Sequence, residues 1–355
     1  MKKFNAFVTA GAGLGAPLNG QRTKGRAFTM AEILLSLTII GVVAAITLPS
    51  LTGNINERTW NTQRKALYAR LSQAIPLMDS LNGYGTFTEA SGTEGTSSYT
   101  AGADNVAETF INAALSKVMK VNAVCSGDID DLADCGVASS IVNLAGTKVD
   151  MPVKLSELNP LNITSPPELA VGTSYSLYDT KAASFVAQGG ETVTVFYNPR
   201  CRGSLNEVVQ ANFPNMMCVN FVYDLNGNKG PNTVGKDMGF ITAFYPYDVK
   251  VVAPYPYIRD LSQKYAQKDA ASACTKEDSE YRLANVEEMA SMFTNLKLVS
   301  DNETLDNRGG NSVYWTSSLT TYNNAKRAWY FYFGAGYANV WRSLTEPMSI
   351  RCVKR

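Results

Sequence analysis

The residues best suited to chemistry fall in three places. In YDLNGNKGPNTVGKD, from Tyr223 to Asp237, the side chains of Asp224, Asn226, Asn228, Asn232 and Asp237 offer hard oxygen donors, and Gly227, Gly230 and Gly235 permit tight turns between them. Calcium is the cofactor such donors take, although nothing in the chain requires one. The loop is not an EF-hand, because glycine stands fourth rather than sixth and no Glu closes the twelfth place. A metal-free hairpin is the competing reading, since Asn226-Gly227 between apolar runs signals a tight turn. The second group is the cysteines: Cys125, Cys135, Cys201, Cys218, Cys274 and Cys352. An even number favours disulfides, and pairing by sequence neighbour gives Cys125–Cys135, Cys201–Cys218 and Cys274–Cys352. Buried free thiols are the alternative; zinc is disfavoured because there is no CxxC pair and no histidine. The third is a single carboxylate, Glu32, which is the first acid of the chain and sits inside an apolar run.

What is missing narrows the class further. The 355 residues include no histidine, which removes Ser-His-Asp and Cys-His nucleophilic sites, histidine-ligated metals and imidazole proton transfer. No motif points to another catalytic centre, so the expectation is a structural or binding protein rather than an enzyme. With 32 Lys+Arg against 31 Asp+Glu, the net charge of +1 gives no footprint for nucleic acid.

The elements that carry these groups follow from composition and period. Residues 1–27 hold Lys2, Lys3, Arg22, Lys24 and Arg26 and no acid, a leader expected to stay on the cytoplasmic side of a membrane. Phe28 to Leu51 reads FTMAEILLSLTIIGVVAAITLPSL, with Glu32 its only charge. A bilayer needs about 20 apolar residues, so the segment is expected to be a transmembrane helix. A carboxylate there costs roughly 2.5–3.5 kcal/mol near the bilayer centre, so Glu32 is expected to have a partner. Beyond it, Trp60, Leu67, Leu71, Ile75, Met78 and Leu81 recur mostly at steps of three and four and predict an amphipathic continuation, with Pro49 and Pro76 bending it. Residues 82–105 read as a Gly/Ser/Thr loop, and Ala107 to Val121 as a second amphipathic helix. ETVTVFY (191–197), MCVNFVYDL (217–225) and FITAFY (240–245) predict antiparallel strands.

On these residues the N-terminus resembles the prepilin cleavage and methylation segment of type IV pilins and type II secretion pseudopilins. The likeness consists of the basic leader, Phe28 as first mature residue, Glu32 fifth from it and Pro49 twenty-second from it; Ala27 stands where that family usually has glycine. The resemblance implies that a prepilin peptidase cuts between Ala27 and Phe28 and methylates the new amine. It implies a single-pass protein of the bacterial inner membrane with its C-terminal domains exported. Other pilin or pseudopilin subunits would be its partners in a cell-surface or periplasmic filament, where Glu32 pairs with the Phe28 amine of a neighbour.

The last hundred residues differ in composition. Trp315, Trp329 and Trp341 stand among many tyrosines, and the order Cys274, YRLANVEEMASMF, VYWTSS, AWYFYFGAG, SIRCVKR resembles bacterial C-type-lectin-like surface modules. Here Ala284 replaces the usual proline, and the calcium-dependent sugar motifs of animal lectins are absent. The resemblance implies that Arg282 and Leu283 open a helix and that Cys274–Cys352 staples the ends. Tyr322, Asn323, Asn324, Tyr337, Asn339, Trp341 and Arg342 flank turns and are the candidate contacts for a surface glycan or protein ligand, while Trp315 and Trp329 read as core.

The expected architecture is therefore α+β: a leader over 1–27, a transmembrane or filament-core helix over 28–51, a pilin-like stalk helix and antiparallel-sheet head over 52–255, and a C-type-lectin-like module over 256–355. The expected function is a prepilin-like structural subunit of a type IV pilus or type II secretion pseudopilus. The bulk of the last module favours a minor or tip position. The alternative is a membrane-anchored lectin-like adhesin that does not assemble.

Overall fold

The computed structural model describes residues 29–82, 106–159, 180–198, 217–244, 248–250, 263–299, 313–333 and 337–354. By its internal contacts the chain divides after Asn54, and Ile55–Arg355 forms one compact unit.

The first described element is α1 (Met30–Asn82), one unbroken helix of 53 residues that continues through both Pro49 and Pro76. Its described apolar side chains before the stalk run from Ile33 to Ala45 and are interrupted by Ser36, Thr38 and Gly41. Among the described residues, no helix is long and apolar enough to cross a membrane. This finding overturns the transmembrane helix expected over 28–51, and with it the single-pass inner-membrane location.

A second helical stretch, α2 (Val106–Phe110), runs on through a π turn (Ile111–Leu115) and a last short turn (Ser116–Val118). It ends before Val121, which opens the first strand. The strands that follow are β1 (Val121–Ser126), β2 (Ser140–Val142), β3 (Lys148–Asp150), β4 (Ala183–Ala187), β5 (Thr192–Tyr197), β6 (Met217–Asp224), β7 (Met238–Phe244) and β8 (Asp248–Lys250). The short helix α3 (Ile129–Ala133) lies between β1 and β2. Six of these strands form an antiparallel sheet in the order β1-β4-β5-β6-β7-β8, and β2 pairs with β3.

Strands β5, β6 and β7 are buried on both sides, and their two-residue period sorts the side chains between two cores. Val193, Val195, Tyr197, Val219, Phe221, Tyr223 and Ile241 pack against Leu67, Leu71, Ile75, Phe110 and Leu115 of α1 and the second helical stretch. Phe196, Val222, Phe240 and Phe244 face the other way and share a core with Met289, Phe293, Tyr314, Phe331 and Phe333. Residues on both sides of position 255 thus build one hydrophobic cluster.

The polar residues on that second face are matched across the same boundary. Asn220 donates to Asn295 Oδ1 at 2.7 Å and accepts from the Asn295 amide at 2.9 Å and from Thr242 Oγ at 2.8 Å, all fully buried. Thr242 also pairs with Ser291. A buried polar network holds only when its members are satisfied, so this one fixes the register between the sheet and what covers it.

The C-terminal part contains α4 (Gln267–Glu277), β9 (Tyr281–Leu283), α5 (Val286–Thr294), β10 (Val313–Tyr322), β11 (Ala325–Tyr332), β12 (Tyr337–Asn339), β13 (Ser349–Ile350) and β14 (Cys352–Lys354). Strands β12-β11-β10-β13 form one sheet, with β10 and β13 parallel, and β14 pairs with β9. Arg282 and Leu283 lie in β9 rather than opening the helix. The helix starts after Asn285, whose side chain accepts from the Glu288 amide while Glu288 accepts from the Asn285 amide, a reciprocal capping box. Arg282 forks onto the same Glu288 carboxylate. Trp315 is fully buried, as expected of a core position, with its indole N–H donating to the Glu346 carbonyl at 3.0 Å, whereas Trp329 is half-buried and packs against the core.

Two of the three expected disulfides are described, Cys125–Cys135 and Cys274–Cys352. Cys218 is also disulfide-bonded, and Cys201, its expected partner, lies outside the described residues.

Candidate functional site

Three surfaces answer to the residues singled out by sequence, beginning with the first half of α1. Ala27 and Phe28 lie outside the described residues, and Pro49 lies within α1. Glu32 has an intramolecular job that sequence reading overlooked. Its carboxylate accepts from the Thr29 amide at 2.9 Å and the Thr29 hydroxyl at 3.0 Å, while its own amide donates to that hydroxyl at 3.2 Å. Thr29-Met30-Ala31-Glu32 is therefore a capping box, and the signature Thr-x-x-Glu before an apolar run could have revealed it. These hydrogen bonds, the backbone one foremost, hold the Glu32 carboxyl below its ordinary range.

Beyond the cap, the helix displays apolar side chains on every side. Ile33, Leu34 and Leu35 are 50%, 60% and 63% exposed, and Leu37, Ile39, Ile40, Val42 and Val43 are exposed to a similar degree. Successive helical residues point about 100° apart, so three adjacent exposed residues already cover most of the circumference. A surface of this kind marks an interaction site, and no single flat partner can cover all of it.

The polar loop between β6 and β7 is the second. Sequence predicts five oxygen donors here, and the fold uses most of them to hold the loop itself. Asp237 is fully buried and accepts from the amides of Asn232 at 2.8 Å and Thr233 at 2.9 Å. Asn232 accepts from the Gly230 amide at 3.2 Å, and Asn228 is exposed. Asn226 donates to the Gly230 carbonyl at 2.7 Å. Gly227, Gly230 and Gly235 all adopt positive φ, and the chain makes a 3-10 turn at Gly227–Lys229 instead of a two-residue hairpin. From outside, Arg64 of α1 grips the loop by donating to the Lys236 carbonyl at 2.6 Å.

Of the five candidate donors, Asp224 and Asn226 each keep one buried oxygen, Oδ2 and Oδ1, without a hydrogen-bond partner among the described residues. Calcium takes six to eight oxygens, and among the described residues no group of three or more acidic, Cys or His side chains could hold a metal. As folded, Asp237 and Asn232 hold the loop's own amides.

Asp224 has a consequence of its own. Its Oδ1 accepts from the Asn226 amide at 3.1 Å, while the carboxyl borders a small cavity lined by Thr192, Thr194, Val222 and Met238. Burial pushes its pKa up to about 7 from 3.8, and the neighbouring Asp237 carboxylate adds to the rise. A carboxyl raised on folding keeps a proton that the unfolded chain has released, so stability is fully present below about pH 4 and is lost as pH rises to about 7. Asp224→Asn is expected to remove this slope and to stabilise the protein at pH 8 by on the order of 3 kcal/mol. Urea unfolding at pH 5 and pH 8 checks it; equal slopes in both proteins would show that Asp224 stays ionised.

The third surface lies at the outer end of the β10–β11 hairpin. The structure joins Tyr322 and Trp341, whose ring centroids are 5.4 Å apart with planes at 62°. Asn323 and Asn324 form the exposed turn of the hairpin at φ 49° and 58°. Arg342 pairs with Glu346 and lies 5.8 Å from the centroid of the Tyr330 ring. Asn339 is buried and accepts from the Val340 and Trp341 amides at 2.5 Å and 3.1 Å, so it orients Trp341 and does not face a ligand. Tyr337 opens β12.

No protein-family model, no curated protein and no solved structure matches the chain.

Proposed function

We propose that the chain is a pilin-like structural subunit, cut between Ala27 and Phe28 by a prepilin peptidase and assembled into a filament through the first half of α1. The observation that carries this reading is the ring of exposed Ile, Leu and Val side chains from Ile33 to Val43. Copies of the same helix, packed around one another, cover such a ring from all sides, and a polar spacer is not needed between them. A helical array of heterologous contacts is the assembly that places each copy in the same surroundings without closing. The Ile55–Arg355 unit would then be displayed outside the helical core. Its C-terminal end would carry the ligand-binding surface.

Glu32 provides a sharp test within this reading. In the separate chain its carboxylate caps α1, and in the filament it would also pair with the Phe28 amine of the next copy. Glu32→Gln keeps an acceptor for Thr29 and removes the charge, whereas Glu32→Ala removes both. Electron microscopy of cells producing the chain together with a prepilin peptidase should show filaments for wild type and none for either variant. Filaments from Glu32→Gln at wild-type abundance would reduce Glu32 to a helix cap. No filaments from wild type would refute the subunit reading itself.

A further inference from the structure

We propose that Thr29 is a positioning residue for processing: its capping box with Glu32 stops α1 short of the Ala27–Phe28 bond and keeps that bond open to the peptidase. This rests on the reading of the chain as a processed subunit. The box fixes where the helix begins. Thr29 is not helical and Met30 is. The Glu32 and Ile33 amides donate to the Thr29 carbonyl at 3.0 Å and 3.2 Å, and the Glu32 carboxylate takes the Thr29 amide and hydroxyl. Another turn of helix towards the N-terminus needs helical dihedrals at Thr29 and breaks the bonds that its amide and side chain make.

Nothing else holds the start of α1. Met30, Ala31 and Glu32 are exposed, and no described hydrophobic residue before Trp60 packs against any of the three buried clusters. Where the helix starts is therefore left to local sequence. Upstream of the cap that sequence favours helix as far as Gly25: Arg26 and Ala27 are strong helix formers, and Phe28 is permissive. Ala27 matters most, because a glycine there would itself end a helix. Replacing glycine by alanine and removing an N-cap change helix stability by similar amounts. The box thus restores the barrier that alanine removes.

A helix running through the scissile bond would shut it. The Ala27 carbonyl would accept from the Ala31 amide, four residues on, and side chains of the next turn would crowd it. Hydrolysis adds the oxygen of water to that carbonyl carbon and breaks its bond to the Phe28 nitrogen, leaving a carboxylate on Ala27 and an amine on Phe28. A carbonyl already bonded within a helix must first be freed, so the rate falls with the fraction of chains that are open.

Cleavage of the full chain by a prepilin peptidase, followed by intact mass against time, tests this. Thr29→Val keeps the shape of the side chain but loses the hydroxyl, and should be cut about fivefold more slowly than wild type. Thr29→Asn changes the shape but keeps a cap, and should be cut at the wild-type rate. In an Ala27→Gly background, Thr29→Val should slow the cut by no more than about twofold, because glycine then ends the helix. Amide exchange at Ala31 should slow in Thr29→Val and not in Thr29→Asn. An unchanged rate in Thr29→Val, slow cutting of Thr29→Asn, or an equal loss in the glycine background would each overturn the proposal while leaving the processing reading intact. Wild type left uncut would refute that reading, and the role of Thr29 with it.

Discussion

Replacing Leu37 and Ile40 by aspartate is expected to abolish assembly while leaving the Ile55–Arg355 unit folded. Both side chains lie in the exposed ring of α1, at 61% and 64% exposure. In the free chain their loss therefore removes almost no burial. In a packed bundle of copies, each aspartate would be a charge taken out of water without a counter-ion, an effective penalty of several kcal/mol per group. Two such groups in every subunit exceed what helix packing can offset. None of the three buried clusters of the described chain includes a residue before Leu67. The melting temperature of the variant should therefore match wild type, and sedimentation should show only monomers. Filaments at normal abundance would mean that this face of α1 is not the assembly surface.

The second large effect concerns the Cys274–Cys352 bond, which joins α4 to β14 across 78 positions of sequence. Both sulfurs are fully buried in a small cluster with Trp315, Tyr330 and Ile350. Closing a span of that length removes loop entropy from the unfolded chain worth about 4 kcal/mol, against about 3 for the 10-residue separation of Cys125–Cys135. Cys274→Ala with Cys352→Ala is thus expected to lower the melting temperature by on the order of 10 °C, more than Cys125→Ala with Cys135→Ala. Calorimetry of the two double variants decides it. The reverse order would show that the small cluster around Trp315 holds the C-terminus without the bond.

How far the sequence foretold these features depended on the range of the interactions involved. Local period was a good guide. The spacing of Leu67, Leu71 and Ile75 placed them on the buried side of α1, and the β-branched runs at 191–197, 217–225 and 240–245 became β5, β6 and β7. The neighbour rule for cysteines found both described disulfides.

Distance in sequence hid the rest. Asn220 and Thr242 alternate with apolar residues, as on a strand with one wet face, yet both are buried because Asn295 and Ser291 supply their hydrogen bonds from the other side of the core. Asp224 and Asp237 look alike as metal donors in sequence. The fold gives Asp237 two backbone amides and leaves one oxygen of Asp224 without a partner, a difference set by loop geometry. Hydrophobicity also misled when read by count alone. The run over 28–51 suggested a membrane span, but the described helix carries no stretch long and apolar enough for one. Glu32 looks in sequence like a charge in need of a distant partner, whereas its partner in the fold is Thr29, three residues away.

The most direct measurement is the N-terminal sequence and intact mass of this chain recovered from purified filaments. The account predicts a subunit that begins at N-methylated Phe28 and lacks residues 1–27. Recovery of filaments whose subunits retain the leader, or of the cut chain only as monomer, would contradict it.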